Sequence, residues 1–411
     1  MQFASINLRR VAWACGGLLM APGIVSAETK AKQPVGAVTA PAVAPFDPWG
    51  SEQPAAFHPW EGGVATEEQA RQNSNCGNCD TVWGNVNYGN GYANLPLPSW
   101  TDMPRWYAGF EGVFLTRDNG EDFTVATQGA RGPEALSTED LDHELRPGVR
   151  FTLGRTINDY FRVEGTYLGQ QHWDDTVTVR NESPNALGGD GNLFSFFSQF
   201  GNPAAIVGLD YNDRVTISDT SDFNSAEINI RYRAPIRCGA FEAVLLCGVR
   251  YVNVEETFQY LSSTSVPAQF GTTRQIDVAT TNDLIGGQIG GNVIYRASQR
   301  WWLNLDGKVG VFGNSARQST DFFSVGAADF SGEAQTGATA FMGDVRIESC
   351  FQLFPRLTVI AGYQAMGIDG LALGMNNLQR DFNILTQGPA EVDDNGTLIY
   401  HGPTVGMVWN W

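Results

Sequence analysis

Apolar and polar residues alternate along most of the chain after residue 104. In 226-AEINIRYRA-234 every second residue from Ala226 is apolar, and the positions between carry Glu227, Asn229, Arg231 and Arg233. The same period recurs in 160-YFRVEGTYLG-169, 301-WWLNLDGKVGVF-312 and 341-FMGDVRIES-349. A period of two predicts β-strands whose faces meet different surroundings. Here one face is apolar, and the other carries charges of both signs.

The alternating stretches predict about ten strands. The alternative is twelve, because the stretches 123–128 and 176–180 could extend hairpins above a membrane. The ten predicted strands lie near 105–117, 147–157, 159–173, 225–237, 241–256, 275–296, 300–313, 336–349, 356–368 and 398–411.

The predicted connections sort by length. Short ones are expected at 156-TIND-159, 238-CGAFE-242, 297-ASQR-300 and 350-CFQLFPR-356, and long ones at 118–146, 174–224, 257–274, 314–335 and 369–397. Short turns at one end and long loops at the other are typical of bacterial outer-membrane barrels, whereas a soluble sandwich has no reason to sort its loops. We therefore predict an all-β fold, a transmembrane antiparallel up-and-down β-barrel.

The final residues, 404-TVGMVWNW-411, alternate without any charge. A last barrel strand must pair with the first strand, and its outward residues then face lipid, with aromatic rings at the interface. Such an ending also resembles the terminal signal that barrel-assembly machinery recognises. We therefore expect outer-membrane lipid, lipopolysaccharide and this machinery as partners.

The amino-terminal part predicts export. Arg9 and Arg10 precede the apolar stretch Val11 to Val25, and 25-VSA-27 is a small-residue cleavage site. These features indicate a signal peptide over 1–27. Residues 28–103 are rich in Pro, Ala and Gly without a sustained period, which predicts an irregular periplasmic segment, and the barrel occupies 104–411. The expected location is the bacterial outer membrane.

Charge and cysteines narrow the possibilities further. The formal net charge of -18 argues against a nucleic-acid partner. No pattern indicates a cofactor or a metal site. Cys76 and Cys79 favour a local disulfide or tether over zinc, because a second ligand pair is missing. Cys238 and Cys247 would be opposite each other across a turn centred on Glu242 and Ala243, so a cross-strand disulfide is a candidate, with two unbonded thiols as the alternative.

Several stretches resemble one family. They are 105-RWYAGFEGVFLTRDN-119, 227-EINIRYR-233, 245-LLCGVRYVNVEE-256, 283-DLIGGQIGGNV-293 and 306-DGKVGVFGN-314. They are similar to the putative β-barrel porins, seventh group, found mainly in planctomycete bacteria. The resemblance covers about 105–411 and implies an outer-membrane barrel, and, less directly, a pore.

The polar face of the predicted strands supplies the candidate lumen residues. Gly248 is a further candidate beside the charged positions, which are Glu111, Arg150, Arg162, Glu164, Glu227, Arg231, Arg233, Arg250, Asp306, Lys308, Asp344, Arg346 and Glu348. As a porin or narrow pore, these charges would bias passive passage of ions or small solutes. Because ten strands enclose little space and the signs are balanced, we expect a narrow or filled lumen.

Two other functions compete with a pore. A non-conducting surface barrel could bind divalent cations or partners through acidic loops at 118–122, 139–144, 174–175 and 210–213, although solvated loops are the simpler interpretation. A barrel hydrolase could use His143, His172 or His401, but no Ser-His-Asp or HExxH pattern supports it, so we expect no enzyme. The apolar stretch 193-LFSFFSQF-200 should fold into the barrel mouth as a constriction or lid.

Overall fold

The structure is a computed structural model that describes residues 105–411 except 119, 121, 182–191, 203–204, 207–208, 239, 265–272, 325–328 and 381–391, and it leaves the side chains of 235–238 undescribed. The expected signal peptide, the irregular segment 28–103 and the pair Cys76 and Cys79 all lie outside the described residues.

Ten long antiparallel strands close into a barrel, and four short strands form a separate sheet. In chain order the strands are β1 (Trp106–Arg117), β2 (Thr124–Gln128), β3 (Glu134–Ser137), β4 (Arg146–Thr156), β5 (Phe161–Arg180), β6 (Leu193–Ser195), β7 (Asp210–Asn212), β8 (Arg214–Cys238), β9 (Phe241–Ser263), β10 (Thr273–Arg296), β11 (Trp301–Ser324), β12 (Phe330–Phe354), β13 (Leu357–Leu371) and β14 (Gly396–Asn410). Around the barrel the order is β1-β14-β13-β12-β11-β10-β9-β8-β5-β4. The predicted all-β barrel of ten strands is confirmed.

The apolar face of the strands points outward, which separates a membrane barrel from a sandwich. Ile285 and Ile289 of β10 are 70% and 63% exposed, and Val249 and Leu245 of β9 are also exposed. A soluble fold would bury such residues, whereas lipid can cover them. This apolar band lies next to the short turns, which is the periplasmic end in outer-membrane barrels.

The last strand closes the sheet as expected. β14 pairs with both β1 and β13, with Trp409 opposite Ala108 and Leu357. Val405, Met407, Trp409 and Trp411 all point outward and are exposed. The aromatic residues at the end of the chain therefore occupy the periplasmic edge of the apolar band.

Three predicted long loops are mostly strand in the residues that the structure describes. The alternative that 176–180 extends a hairpin is confirmed by β5, and the rest of these loop predictions was wrong. β5 runs on to Arg180 and β8 begins at Arg214, β9 and β10 reach Ser263 and Thr273, and β11 and β12 extend to Ser324 and Phe330. In these outer parts the alternation continues with its phase inverted. Val215 and Ile217 of β8 point inward and are fully buried, while Thr216 and Ser218 lie on the other face. The prediction missed these strand extensions because their apolar face, which was expected to point outward, points into the barrel.

The second sheet fills the outer end of the barrel. Its strand order is β3-β2-β6-β7. The stretch predicted as a constriction forms β6 and a 3₁₀ turn, Phe196–Ser198. The rings of Phe196 and Phe197 lie 5.7 and 5.2 Å from the ring of Tyr260, an inward residue of β9. The prediction that 193–200 folds into the barrel mouth is therefore confirmed.

Asp210 of β7 holds this inserted sheet together. Its carboxylate accepts hydrogen bonds from the backbone N–H of Ser195 at 2.9 Å and of Ile206 at 2.6 Å, and from the Ser198 hydroxyl at 2.7 Å. Burial raises the pKa of Asp210, while the three donors act against that shift.

In the described ranges, no helix is long and apolar enough to cross a membrane.

Candidate functional site

All thirteen predicted lumen charges lie on the inner face of the barrel. Glu111, Arg250 and Asp306 are 4%, 3% and 1% exposed, and the remaining ten are buried or half-buried. Inner positions follow from strand alternation, since the neighbours of these charges along each strand are mostly apolar residues or glycines that point outward. The structure brings the thirteen together in the periplasmic half of the barrel.

One group centres on Glu111 of β1. Its carboxylate accepts a hydrogen bond from Arg150 of β4 at 2.8 Å and lies 3.4 Å from the guanidinium of Arg346 on β12. Arg346 also lies 3.1 Å from Glu348. A Cβ atom at Gly406 of β14 would lie 2.4 Å from the carbonyl oxygen of Phe110 and 2.5 Å from Cγ of Glu111, so the absence of a side chain there lets β14 pack closely against Glu111.

A second group joins β8, β9, β11 and β12. Lys308 donates to Glu227 at 2.8 Å, and Arg250 lies 3.2 Å from Asp344. Lys308 to Asp344 and Arg250 to Glu227 are longer, at 3.7 and 3.9 Å. Gly248 leaves space for Asn229, since its Cβ atom would lie 2.2 Å from Asn229 Oδ1. Each charge here faces opposite charges on two other strands.

A third group surrounds Arg231 of β8. Its guanidinium lies 3.0 Å from Glu164 and 3.2 Å from Asp306. The hydroxyl of Tyr107 donates to Glu164 at 2.6 Å. The guanidinium of Arg162 lies over the Tyr107 ring, 5.7 Å from its centroid. The expected mutual pairing of lumen charges is what the geometry shows.

Sequence reasoning missed several inner polar residues. Glu242 was assigned to a turn, but it is buried and pairs with Arg233 at 2.7 Å and Arg296 at 3.7 Å. Gln288 donates to Glu227 at 2.6 Å, and Gln364 donates to Asp344 at 2.9 Å. Both glutamines lie at inward positions of their strands, so the period-two pattern could have found these uncharged residues as well.

These groups surround a cavity of about 510 Å³ in the periplasmic half of the barrel. Its walls include the charges described above and Trp302 and Asn304 of β11. It reaches the turn residues Gln299 and Pro355 at the periplasmic end. We call this cavity the vestibule.

A layer of apolar side chains lies inside the barrel above the vestibule. The rings of Trp173 and Phe223 lie 5.3 and 5.1 Å from the ring of Tyr400, and all three are fully buried. The Trp173 indole N–H donates to the carbonyl of Leu115 at 3.2 Å. We call this layer the septum, and its members are Val113, Leu115, Leu168, Trp173, Phe223, Val252, Val254, Leu284, Phe312, Ala340, Met342, Met366, Ile368, Leu371, Leu373, Leu398 and Tyr400.

A buried ionic cluster separates the septum from the apolar core of the inserted sheet. Arg117 of β1 lies 2.6 Å from Asp219 and 2.5 Å from Glu256. Nε2 of His143 lies 2.8 Å from Asp219. The interpretation of the acidic loop 139–144 as solvated was wrong at His143, which is 3% exposed. Its sequence position shows an acidic loop, and only the fold brings that loop inside.

The other two histidines near the outer strands lie on the barrel's exterior. Nδ1 of His172 lies 2.9 Å from Asp222, and both side chains are about half exposed. The Tyr363 hydroxyl lies 2.6 Å from Nδ1 of His401. Neither pair has a serine or cysteine nucleophile among the partners that its hydrogen bonds show.

Part of the predicted acidic surface is used by the fold. Asp140 and Ser137 form a capping box, and Asp175 accepts from the backbone N–H of Asp142 at 2.6 Å. Within the described ranges, no three His, Cys, Asp or Glu side chains are grouped as metal ligands.

The candidate disulfide between Cys238 and Cys247 is not formed, and the alternative of an unbonded thiol is confirmed for Cys247. The β8–β9 turn places Cys238 opposite Phe241 and Cys247 opposite Ile230. The turn therefore occurs earlier than expected, and Cys247 carries a free, exposed thiol. The side chain of Cys238 lies outside the described residues.

Solved structures to which the chain is similar include outer-membrane proteins of low identity. The outer membrane protease OmpT of Escherichia coli is 9% identical, with 75% of this chain and 97% of that chain covered and a TM-score of 0.41. A major outer membrane protein of Thermus thermophilus is 8% identical, with 74% and 99% covered and a TM-score of 0.27. The toluene transporter TodX of P. putida is 12% identical, with 75% and 90% covered and a TM-score of 0.28. At these TM-scores the likeness carries no argument about activity or substrate.

The family assignment rests on a family model. No curated protein sequence matches the chain. The family model described as Putative beta barrel porin-7 matches residues 116–411, which includes nearly the whole barrel and all of the inner charges just described except Glu111. The chain therefore belongs to this family of outer-membrane β-barrel porins.

Proposed function

We propose that this chain is a narrow outer-membrane pore for passive passage of small solutes or ions, and that the described conformation is its closed state. The observation that carries the proposal is the charge-lined vestibule of about 510 Å³ beneath an apolar septum. Polar walls favour hydrated solutes, and an apolar constriction opposes their passage by excluding water. The path would open when the septum side chains and the inserted sheet move out of the lumen.

The paired charges of the vestibule set the expected selectivity. Asp306 is bound to Arg231, and Arg346 to Glu111 and Glu348. Removal of one charge of a pair leaves the charge of its partner uncompensated, and that charge then attracts or repels passing ions. Asp306→Asn should therefore shift selectivity towards anions, and Arg346→Gln towards cations.

Planar-bilayer recording of the full-length barrel tests the pore. We expect rare, brief conductance steps in the wild type and more frequent steps in a Trp173→Ala, Tyr400→Ala variant, because two of the three central rings of the septum are gone. A heat-modifiable gel shift shows that each variant is folded. Phe341→Ala, which removes an outward ring from β12, is the matched control and should leave the opening frequency unchanged.

The result that contradicts the pore is a folded septum variant that stays silent, with no selectivity change in the charge variants. The paired charges would then serve only to fill the barrel, and a non-conducting surface barrel would be the better description.

We also infer that the barrel works without catalysis. The His143 side chain is fully buried between Asp219 and the surrounding core, so a substrate cannot reach it. Hydrolase assays on lipid and peptide substrates with His143→Ala and His172→Ala test this inference. A wild-type activity that either variant loses would overturn it. Export through the 1–27 signal and insertion by barrel-assembly machinery remain part of the same proposal.

A further inference from the structure

The periplasmic rim of the barrel carries four exposed arginines on one continuous arc. They are Arg105, Arg155, Arg300 and Arg356. We call them the arginine arc. None of the four lines the vestibule, and Arg155 points outward from β4.

Backbone hydrogen bonds show that these residues are neighbours along the rim. The N–H of Thr156, next to Arg155, donates to the carbonyl of Arg105 at 2.8 Å. The N–H of Asn410 donates to the carbonyl of Arg356 at 2.9 Å. The arc therefore runs along the adjacent ends of β4, β1, β14 and β13.

The arc continues to β12 and β11. The N–H of Gln352 donates to the carbonyl of Arg300 at 2.7 Å, which places the start of β11 beside the end of β12. Among the described residues of the turns along the rim, Asp159 is the one carboxylate, and it is only half exposed. The exposed charge of this rim is therefore mainly positive.

Four exposed tryptophans lie between the arginines. Trp106, Trp301, Trp409 and Trp411 are each 38–48% exposed on the outer wall. The guanidinium of Arg155 lies 5.0 Å from the ring centroid of Trp106. Tryptophan rings on a barrel's outer wall mark the level of lipid head groups. The arginines therefore lie at head-group depth.

We propose that the arginine arc binds the phosphate groups of anionic phospholipids in the periplasmic leaflet. A guanidinium matches phosphate geometry with two parallel hydrogen bonds, and several arginines at one depth attract anionic head groups over zwitterionic ones. The tryptophans cover the adjoining glycerol and upper acyl chains. The lipid would orient the barrel and fix its periplasmic end.

Tryptophan quenching by brominated lipid measures this binding. The full chain is refolded into phosphatidylcholine vesicles with a small fraction of brominated phosphatidylglycerol or, separately, of brominated phosphatidylcholine. We expect the anionic lipid to be enriched around the barrel by about threefold or more, and the enrichment to fall as salt rises. Arg155→Gln, Arg356→Gln should lower it, and the variant with all four glutamines should abolish it.

The matched control is Arg317→Gln. Arg317 is exposed on β11, the strand that Arg300 precedes, but lies above the apolar band at the opposite end. It should keep the wild-type enrichment. Lysine at the four positions should keep part of it, because charge remains and the two-bond geometry is lost.

Equal quenching by both brominated lipids in the wild type would overturn the proposal, as would enrichment that survives in the folded variant with four glutamines. The first result is also expected if residues 28–103, with eight acidic and three basic residues, occupy the arc instead of lipid. In either case the arc would not be a phospholipid site.

Discussion

The two halves of the barrel are built from the same strands with opposite inner surfaces. In β9 the periplasmic half points Glu242 and Arg250 inward and Val249 outward, while the outer half points Phe258 inward and Thr257 outward. Hydrogen bonds between strands continue without a break from one half to the other along β9 and β10. The backbone is thus the same, and only the surroundings differ.

The difference between the halves shows that the surrounding medium, lipid or water, determines which face of a strand carries the apolar residues. Lipid surrounds the periplasmic half, so apolar residues are placed outside and paired charges fill the interior. Water surrounds the outer half, so that half is built as a soluble β-structure, with its apolar core inside. The buried ionic cluster lies where one arrangement replaces the other.

The largest expected effect comes from breaking that ionic cluster. Arg117→Met leaves Asp219 and Glu256 buried without their cation, and removal of one partner of a buried ion pair costs about 3–5 kcal/mol. Denaturant unfolding of the refolded barrel measures the loss. Arg317→Met, at an exposed site on β11, is the control and should change stability by less than about 0.5 kcal/mol. A similar small effect at Arg117 would show that the cluster contributes no stability.

A pair of outward substitutions on one strand tests the boundary between the halves. Val249→Lys puts a charge in the apolar band and should cost about 2–4 kcal/mol if it lies near the bilayer midplane. Thr257→Lys, on the same face of β9 but in the outer half, should have almost no effect, because water surrounds it. Reversible folding into lipid vesicles measures both. Equal costs would contradict the assignment of lipid to one half alone.

Sequence alone predicted the periplasmic half well and the outer half poorly. Period-two alternation gave the strand number, the closure by 398–411 and the inward position of the thirteen charges. It failed beyond residues such as Asn224 and Asn253, where the inverted phase was taken for loop. Alternation reports which residues share a face, but not whether lipid, water or a folded insert covers that face.

The smallest effect concerns the attachment of the segment 372–378, which follows β13, to the barrel wall. Asn282 of β10 bonds both the N–H and the carbonyl of Ala372, at 2.8 and 2.7 Å. Asn282→Ala leaves these buried groups unpaired, at a cost of about 1–3 kcal/mol. Hydrogen exchange should rise at 372–378 and stay unchanged in the strands of the periplasmic half. Thr281→Ala, the outward neighbour, is the control, and protection at 372–378 that equals the wild type would contradict the role of Asn282.

The contacts of the site were less predictable than its residues. Glu111 and Arg346 are far apart in the chain, and β14 and β13 separate β1 from β12 around the barrel. Their proximity depends on the barrel's small diameter, which the sequence gives only through the strand number. The pairing of His143 with Asp219 depends on a loop that folds inward, and no local pattern indicates that.

The phase inversion also sets how deep the barrel sits. If β9 moved by one residue pair towards the periplasm, Asn253 would approach the lipid that now faces Tyr251, and Phe241 would leave it at the other end. Every long strand carries the same kind of boundary, so a vertical shift would cost transfer free energy on all of them at once. The inversion therefore marks the lipid–water boundary in the sequence of each long strand. It sets the depth of the barrel in the bilayer before any lipid-specific contact is made.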